Sequence, residues 1–65
     1  MTYTVRTRYG WGWEVIGRNY QSHPIESAIA AQALADALGA GVQHEDALQA
    51  AGLYFRDGRF QSKSV

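Results

Sequence analysis

Two histidines, four carboxylates in the middle of the chain and five arginines toward its ends are the side chains of this sequence that could do chemistry. A metal site needs three or four converging ligands. His23 and His44 are the only histidines, with Glu45 and Asp46 beside the second, no two-histidine helical spacing exists, and there is no cysteine to build a thiolate cage. His23 therefore reads as a cap-region residue and His44 as a solvated one. Nucleophilic catalysis would need a serine set beside a base, but Ser22, Ser27, Ser62 and Ser64 fall in cap, helix and tail contexts without a nucleophile elbow. Glu45 and Asp46 are adjacent and diverge on a helix, so they cannot share acid–base work. The glycines of "GWG" lie in a hairpin loop and those of "GAG" follow a helix, whereas phosphate-cradling glycines precede one. Catalysis is not expected, and neither a metal nor an organic cofactor is implied.

Binding chemistry remains. Trp11 stands at a loop tip, flanked by Tyr9 and Trp13 and close to Arg8, residue types that dominate protein interface hot spots; it either projects for a partner or folds back over the sheet. Arg6, Arg8, Arg18, Arg56 and Arg59, with Trp11 and Tyr54, form the candidate protein-binding set. The alternative is nucleic-acid binding, in which the same arginines track phosphates while Tyr20 or Tyr54 stacks on a base. The formal net charge of zero and the single lysine argue against that alternative.

The elements that must position these residues can be read from pattern. At 65 residues with 46% hydrophobic and 18% charged side chains, the chain is one small domain that must rely on burial alone. "TYTVRTRYGWGWEVIGRNY" reads as a hairpin broken at Gly10-Trp11-Gly12. A three-residue loop there pairs Tyr9 with Trp13, Thr7 with Val15 and Val5 with Gly17. Tyr3, Val5, Tyr9, Trp13 and Val15 then share a core face, and Arg6, Arg8, Glu14, Ile16 and Arg18 a wet one with Arg8 opposite Glu14. "SHPIESAIAAQALADALGAG" reads as a helix capped by Ser22 or His23, with Pro24 and Glu26 at its start and Gly39 and Gly41 ending it. Ile25 and Ile29 lie on one side of that helix and Leu34 and Leu38 opposite. One pair is expected to meet the sheet and the other the next helix or loop, or else a second copy of the chain in a homodimer through Leu34 and Leu38.

"QHEDALQAAG" reads as a short second helix closed by Gly52, and "LYFRDGRFQS" as a second hairpin on Asp57-Gly58, a type I′ turn signal. Its register pairs Phe55 with Phe60 and sets Arg56 opposite Arg59, with Leu53, Phe55 and Phe60 on the core side. Like charges placed so repel, and solvent screening is expected to relieve them. Lys63 to Val65 are expected to fray. The expected fold is α+β, two antiparallel hairpins forming a sheet with one longer and one short helix packed on one face, in the order ββααββ. Residues 1 to 20 balance to +2, residues 21 to 50 to −4 and residues 51 to 65 to +2, so a basic sheet opposes an acidic helical layer.

The stretch ending in "GWGWEV", the Ala-rich helix after a Ser/His/Pro turn and the terminal "RDGRFQSKS" resemble the small bacterial domain of unknown function DUF2188, whose members run strand, strand, helix and a final hairpin. This sequence departs from that pattern by carrying "HEDALQAAG" before the last hairpin. The resemblance implies the fold and, at most, a stress-related bacterial domain without established activity. With no leader and no apolar run of membrane length, a cytoplasmic protein without membrane contact is expected. A compact, cofactor-free domain of this size is also the usual build of phage proteins that inhibit host defence complexes, anti-CRISPR proteins among them, which act by occluding a surface. The partner expected here is another protein or protein complex.

Overall fold

The β-rich first segment forms three short strands, seen in a computed structural model that describes residues 2–8 and 10–63. Strands β1 (Thr4–Thr7) and β2 (Trp13–Gly17) pair antiparallel, and β2 pairs in turn with β3 (Tyr20–Gln21). The register is Thr7 with Trp13, Arg6 with Glu14, Val5 with Val15 and Thr4 with Ile16. It differs by two residues from the expected pairing, so the two faces are kept while every cross-strand partner changes. Both ends of the hairpin explain the choice. Arg8 N–H donates to the Gly12 carbonyl at 2.9 Å, and Gly12 (φ 64°) runs so close to the Ile25 carbonyl that a Cβ there would stand 2.3 Å from its oxygen. At the other end the Tyr3 ring covers Gly17, where a Cβ would lie 2.6 Å from ring carbons. Tyr9, expected on the core face, lies outside the described residues.

The helix starts later than the sequence signals suggest. Residues 22–25 run beside β2 outside any helix, and α1 spans Ala28–Gly39 with Ser27 as its cap, the Ser27 hydroxyl accepting from Ala30 N–H at 3.2 Å. The Ser22 or His23 cap and the Pro24 first turn are therefore corrected. Ile25 is the reason: its N–H and carbonyl exchange hydrogen bonds with Trp13 at 2.7 and 2.9 Å, which withdraws the backbone from the helix. The Ser22 hydroxyl accepts from Val15 N–H at 2.9 Å, filling a place in the ladder.

The second hairpin follows its sequence closely. Strands β4 (Leu53–Arg56) and β5 (Arg59–Ser62) pair Phe55 with Phe60 and Arg56 with Arg59, around Asp57 (φ 54°) and Gly58 (φ 77°) in the left-handed conformation a type I′ turn requires. The hairpins do not pair with each other directly. Ile25 joins them: Phe60 N–H donates to the Pro24 carbonyl at 2.7 Å and Glu26 N–H to the Phe60 carbonyl at 3.2 Å, a parallel bridge on the edge of Ile25 that faces away from Trp13. Because Ile25 runs antiparallel to β2 and parallel to β5, the loop of the first hairpin and the turn of the second point in opposite directions.

Both helices, α1 and α2 (His44–Ala50), pack on one face. Val15, Ile25, Ala31, Leu34 and Ala47 are fully buried, and Leu38, Leu53 and Phe60 nearly so. Leu34 and Leu38 thus belong to the chain's own core and offer no surface to a second copy, which corrects the expected homodimer face. Ile29, not Leu34, is the helical residue left outside, at 84% exposure. Phe55 was expected in the core, yet it lies on the edge strand beside the turn and stays 55% exposed, its ring meeting those of His23 at 4.8 Å and Phe60 at 5.7 Å. Lys63 is tied by its N–H to the Gly52 carbonyl at 2.7 Å; Ser64 and Val65 lie outside the described residues. Among the described residues no helix is long and apolar enough to cross a membrane.

Candidate interaction face

The helices cover one face of the strands, and the other carries the candidate residues. Its first group spans three strands. Arg6 on β1, Glu14 on β2 and Gln21 on β3 stand side by side, since Arg6 pairs with Glu14 and Gln21 with the neighbouring Ile16. Arg6 Nε donates to Glu14 Oε2 at 2.6 Å, Gln21 Nε2 to Oε1 at 2.9 Å, and Arg8 Nη1 to Oε1 at 3.1 Å. Arg6, not Arg8, is directly opposite Glu14; Arg8 reaches it on the diagonal. The three donors close over the carboxylate and leave Glu14 only 3% exposed. Hydrogen bonds from Gln21 and Arg6 hold the Glu14 carboxyl below its ordinary value of 4.5, against the opposing effect of burial.

Such a carboxylate is poorly placed for acid–base work, because three hydrogen bonds hold its oxygens and its proton is disfavoured. What it does is link β1, β2 and β3 on the side that no helix covers. Above it, Arg6, Thr7, Arg8, Glu14 and Gln21 line an open depression of about 460 Å³.

The second group joins the two hairpins. Arg59 places its guanidinium carbon 4.5 Å from the centre of the Trp11 ring, a cation–π contact. Trp11 is half-buried and not a free loop tip: its N–H donates to the Arg8 carbonyl at 3.1 Å, and its ring receives a side chain from a strand two crossings away. Arg56 leans the other way, with Nε 3.9 Å from Asp57 Oδ2, both side chains well exposed. Tyr54 Oη donates to Gln61 Oε1 at 3.2 Å across the same hairpin. Arg18 is exposed in the turn between β2 and β3 and makes no described hydrogen bond or ion pair. The seven candidate residues therefore divide into Arg6 with Arg8 around Glu14, Trp11 with Arg59, Tyr54 and Arg56 on the outer side of the second hairpin, and Arg18 alone.

Three features escaped the sequence reading. Gln21 is the third donor to Glu14, and only the unexpected strand β3 brings it there. His23 packs its ring on Phe55 and Phe60 instead of capping a helix. His44, read as solvated, shares a 2.7 Å hydrogen bond between its Nε2 and Tyr20 Oη, and the Tyr20 ring meets the Tyr3 ring edge-on. Tyr20 was the available signal, but its partners Tyr3 and His44 lie 17 and 24 residues away and local pattern cannot pair them.

Among the described residues no three of His, Asp or Glu are grouped as a metal site would need. No family model matches the chain, and no curated protein or solved structure matches it either.

Proposed function

We propose that this chain is a non-catalytic protein-binding module whose contact surface is the outer face of the strands, centred on Trp11 and Arg59. The observation that carries the reading is the 4.5 Å contact between them. It presents a tryptophan and an arginine, two leading hot-spot types, on a face that none of the described elements covers, already held in one arrangement. Holding them before encounter lowers the entropy lost on binding. Tyr54 and Arg56 extend the surface on the second hairpin, and the ionised Glu14, held by three donors, supports a binding role over a chemical one.

The arginines favour a protein partner over nucleic acid. Tracking a phosphate backbone requires guanidinium groups free to meet successive phosphates. Arg6 and Arg8 instead share the Glu14 carboxylate, which leaves the two together a charge of only +1, Arg59 lies on Trp11, and Arg56 stands 3.9 Å from Asp57, so Arg18 alone has no described partner. The most concrete form of the reading is an inhibitor of a host defence complex, of the kind phages deploy, acting by occlusion. A rigid surface of complementary charge and shape is sufficient for that task.

A photo-reactive residue substituted for Tyr54 tests the reading in cells that naturally carry the protein. The expected product is a covalent adduct with one discrete protein, lost when Trp11→Ala is added. An adduct with nucleic acid, or a protein adduct indifferent to Trp11→Ala, would overturn it.

A further inference from the structure

The depression over Glu14 has a property that the Trp11–Arg59 contact lacks: it holds two cations at fixed positions with donor groups to spare. A guanidinium carries five N–H bonds. Arg6 commits its Nε and Arg8 one Nη1 to Glu14, and no other described hydrogen bond engages either group. Two arginines two residues apart on one face repel each other, and the carboxylate between them offsets that repulsion while fixing where their free edges stand. The charge of the site is then +1, two guanidinium groups against one carboxylate.

We propose that this depression receives a carboxylate side chain, Asp or Glu, from an acidic segment of the partner protein, bound by the N–H edges of Arg6 and Arg8 that Glu14 leaves free. The proposal rests on the protein-binding reading and specifies the partner's chemistry. A planar carboxylate accepts two parallel N–H bonds from one guanidinium, and its single charge neutralises a +1 site. A phosphate near neutral pH carries more negative charge than the +1 site balances. The space of about 460 Å³ is open, which suits the end of a side chain projecting from another protein and not an enclosed small molecule. Charge across the molecule agrees: Glu26, Asp36, Glu45 and Asp46 lie in or beside the helical layer, so an acidic segment is steered away from that layer and toward the strands.

The test follows the arginine Nε–H resonances of the full chain by NMR at low ionic strength while N-acetyl tetraglutamate is added, with tetraglutamine as the neutral control. Saturable shifts of the Arg6 and Arg8 signals are expected with tetraglutamate alone. Affinity should fall about tenfold in Arg8→Gln, the loss of one charged contact. Arg8 is exposed and lies just outside β1, so this variant retains the fold, as the unchanged remainder of the spectrum would report. Four outcomes would overturn the proposal: no saturable shift, equal affinity in Arg8→Gln, tighter binding of inorganic phosphate or oligothymidylate at the same signals, or concentration-dependent self-association abolished by Arg8→Gln, which would make the acidic helical layer of a second copy the occupant. If tetraglutamate fails while the Tyr54 adduct still depends on Trp11, the carboxylate site falls and the protein-binding reading stands.

Discussion

Arg59 rests its guanidinium 4.5 Å from the centre of the Trp11 ring, although the register of β4 and β5 sets it directly opposite Arg56. The like-charged pair is thus separated at the level of side chains. One arginine crosses to the first hairpin, and the other turns toward Asp57. Solvent screening alone would have allowed the same register, but it would not have given Arg59 a fixed place.

This arrangement reverses the sign of a simple expectation. If only repulsion were present, neutralising either arginine would help slightly. Here Arg59→Gln is expected to destabilise the chain, with a coupling to Trp11→Ala of about 0.5–1 kcal/mol in a double-mutant cycle, the range of a partly exposed cation–π contact. Arg56→Gln is expected to be neutral or stabilising by a few tenths of a kcal/mol. Urea unfolding of the four variants measures both; equal effects of the two single substitutions would contradict the contact.

Glu14 gives the chain an acid-sensitive element. A carboxyl whose folded-state pKa is lowered adds stability that is present above its unfolded value, near 4.5, and is lost as the pH falls through the folded value. Glu14→Gln is expected to cost about 1–3 kcal/mol at neutral pH, the scale of hydrogen bonds to a charged group. The gap between wild type and variant should shrink as pH drops below about 4.5. Unfolding midpoints measured from pH 7 to pH 3 check this, and a gap that does not change with pH would show that Glu14 is not held ionised by its neighbours.

Two glycines separate backbone conformation from close approach. Gly10 (φ 84°) and Gly12 (φ 64°) both adopt left-handed backbone, but an added Cβ at Gly10 meets nothing within 4 Å, whereas at Gly12 it strikes the Ile25 carbonyl. Gly10→Ala is expected to cost the left-handed penalty alone, about 1–2 kcal/mol. Gly12→Ala should cost clearly more and displace Ile25, seen as lost hydrogen-exchange protection at Ile25 N–H and Phe60 N–H. Equal costs at the two positions would mean that the loop does not lean on Ile25.

The contrast between the hairpins shows what a sequence of this length makes legible. Asp57-Gly58 specifies a turn type, the turn fixes the register, and Phe55, Phe60, Arg56 and Arg59 all pair as the pattern requires. "GWG" offers two glycines and no unique turn, so alternation settles only which face each residue takes; the register is chosen by Tyr3 on Gly17 and Gly12 on Ile25, contacts between distant segments. The same applies to the helix start. "SHPIES" holds two serines that can cap, and the first loses because Ile25 is held by Trp13 on one edge and Phe60 on the other. With Ile25 outside the helix, the opposed pairs Ile25/Ile29 and Leu34/Leu38 cease to conflict: Leu34 and Leu38 face the core and Ile29 faces out. The candidate arginines were legible by type, but the partners that organise them, Glu14, Gln21 and Trp11, depend on tertiary placement.

On the proposed reading the outer face engages a protein, with Arg6 and Arg8 sharing Glu14 and Arg59 placed on Trp11. Fluorescence anisotropy of a labelled oligothymidylate titrated with the purified chain tests it most directly, over a range of salt that includes physiological ionic strength, about 0.15 M. No saturable binding is expected at that ionic strength for the wild type or for Arg56→Gln/Arg59→Gln. Micromolar or tighter association that weakens steeply with salt, its slope reduced by up to about two units in the double variant, would contradict it and make the second hairpin a phosphate-reading element.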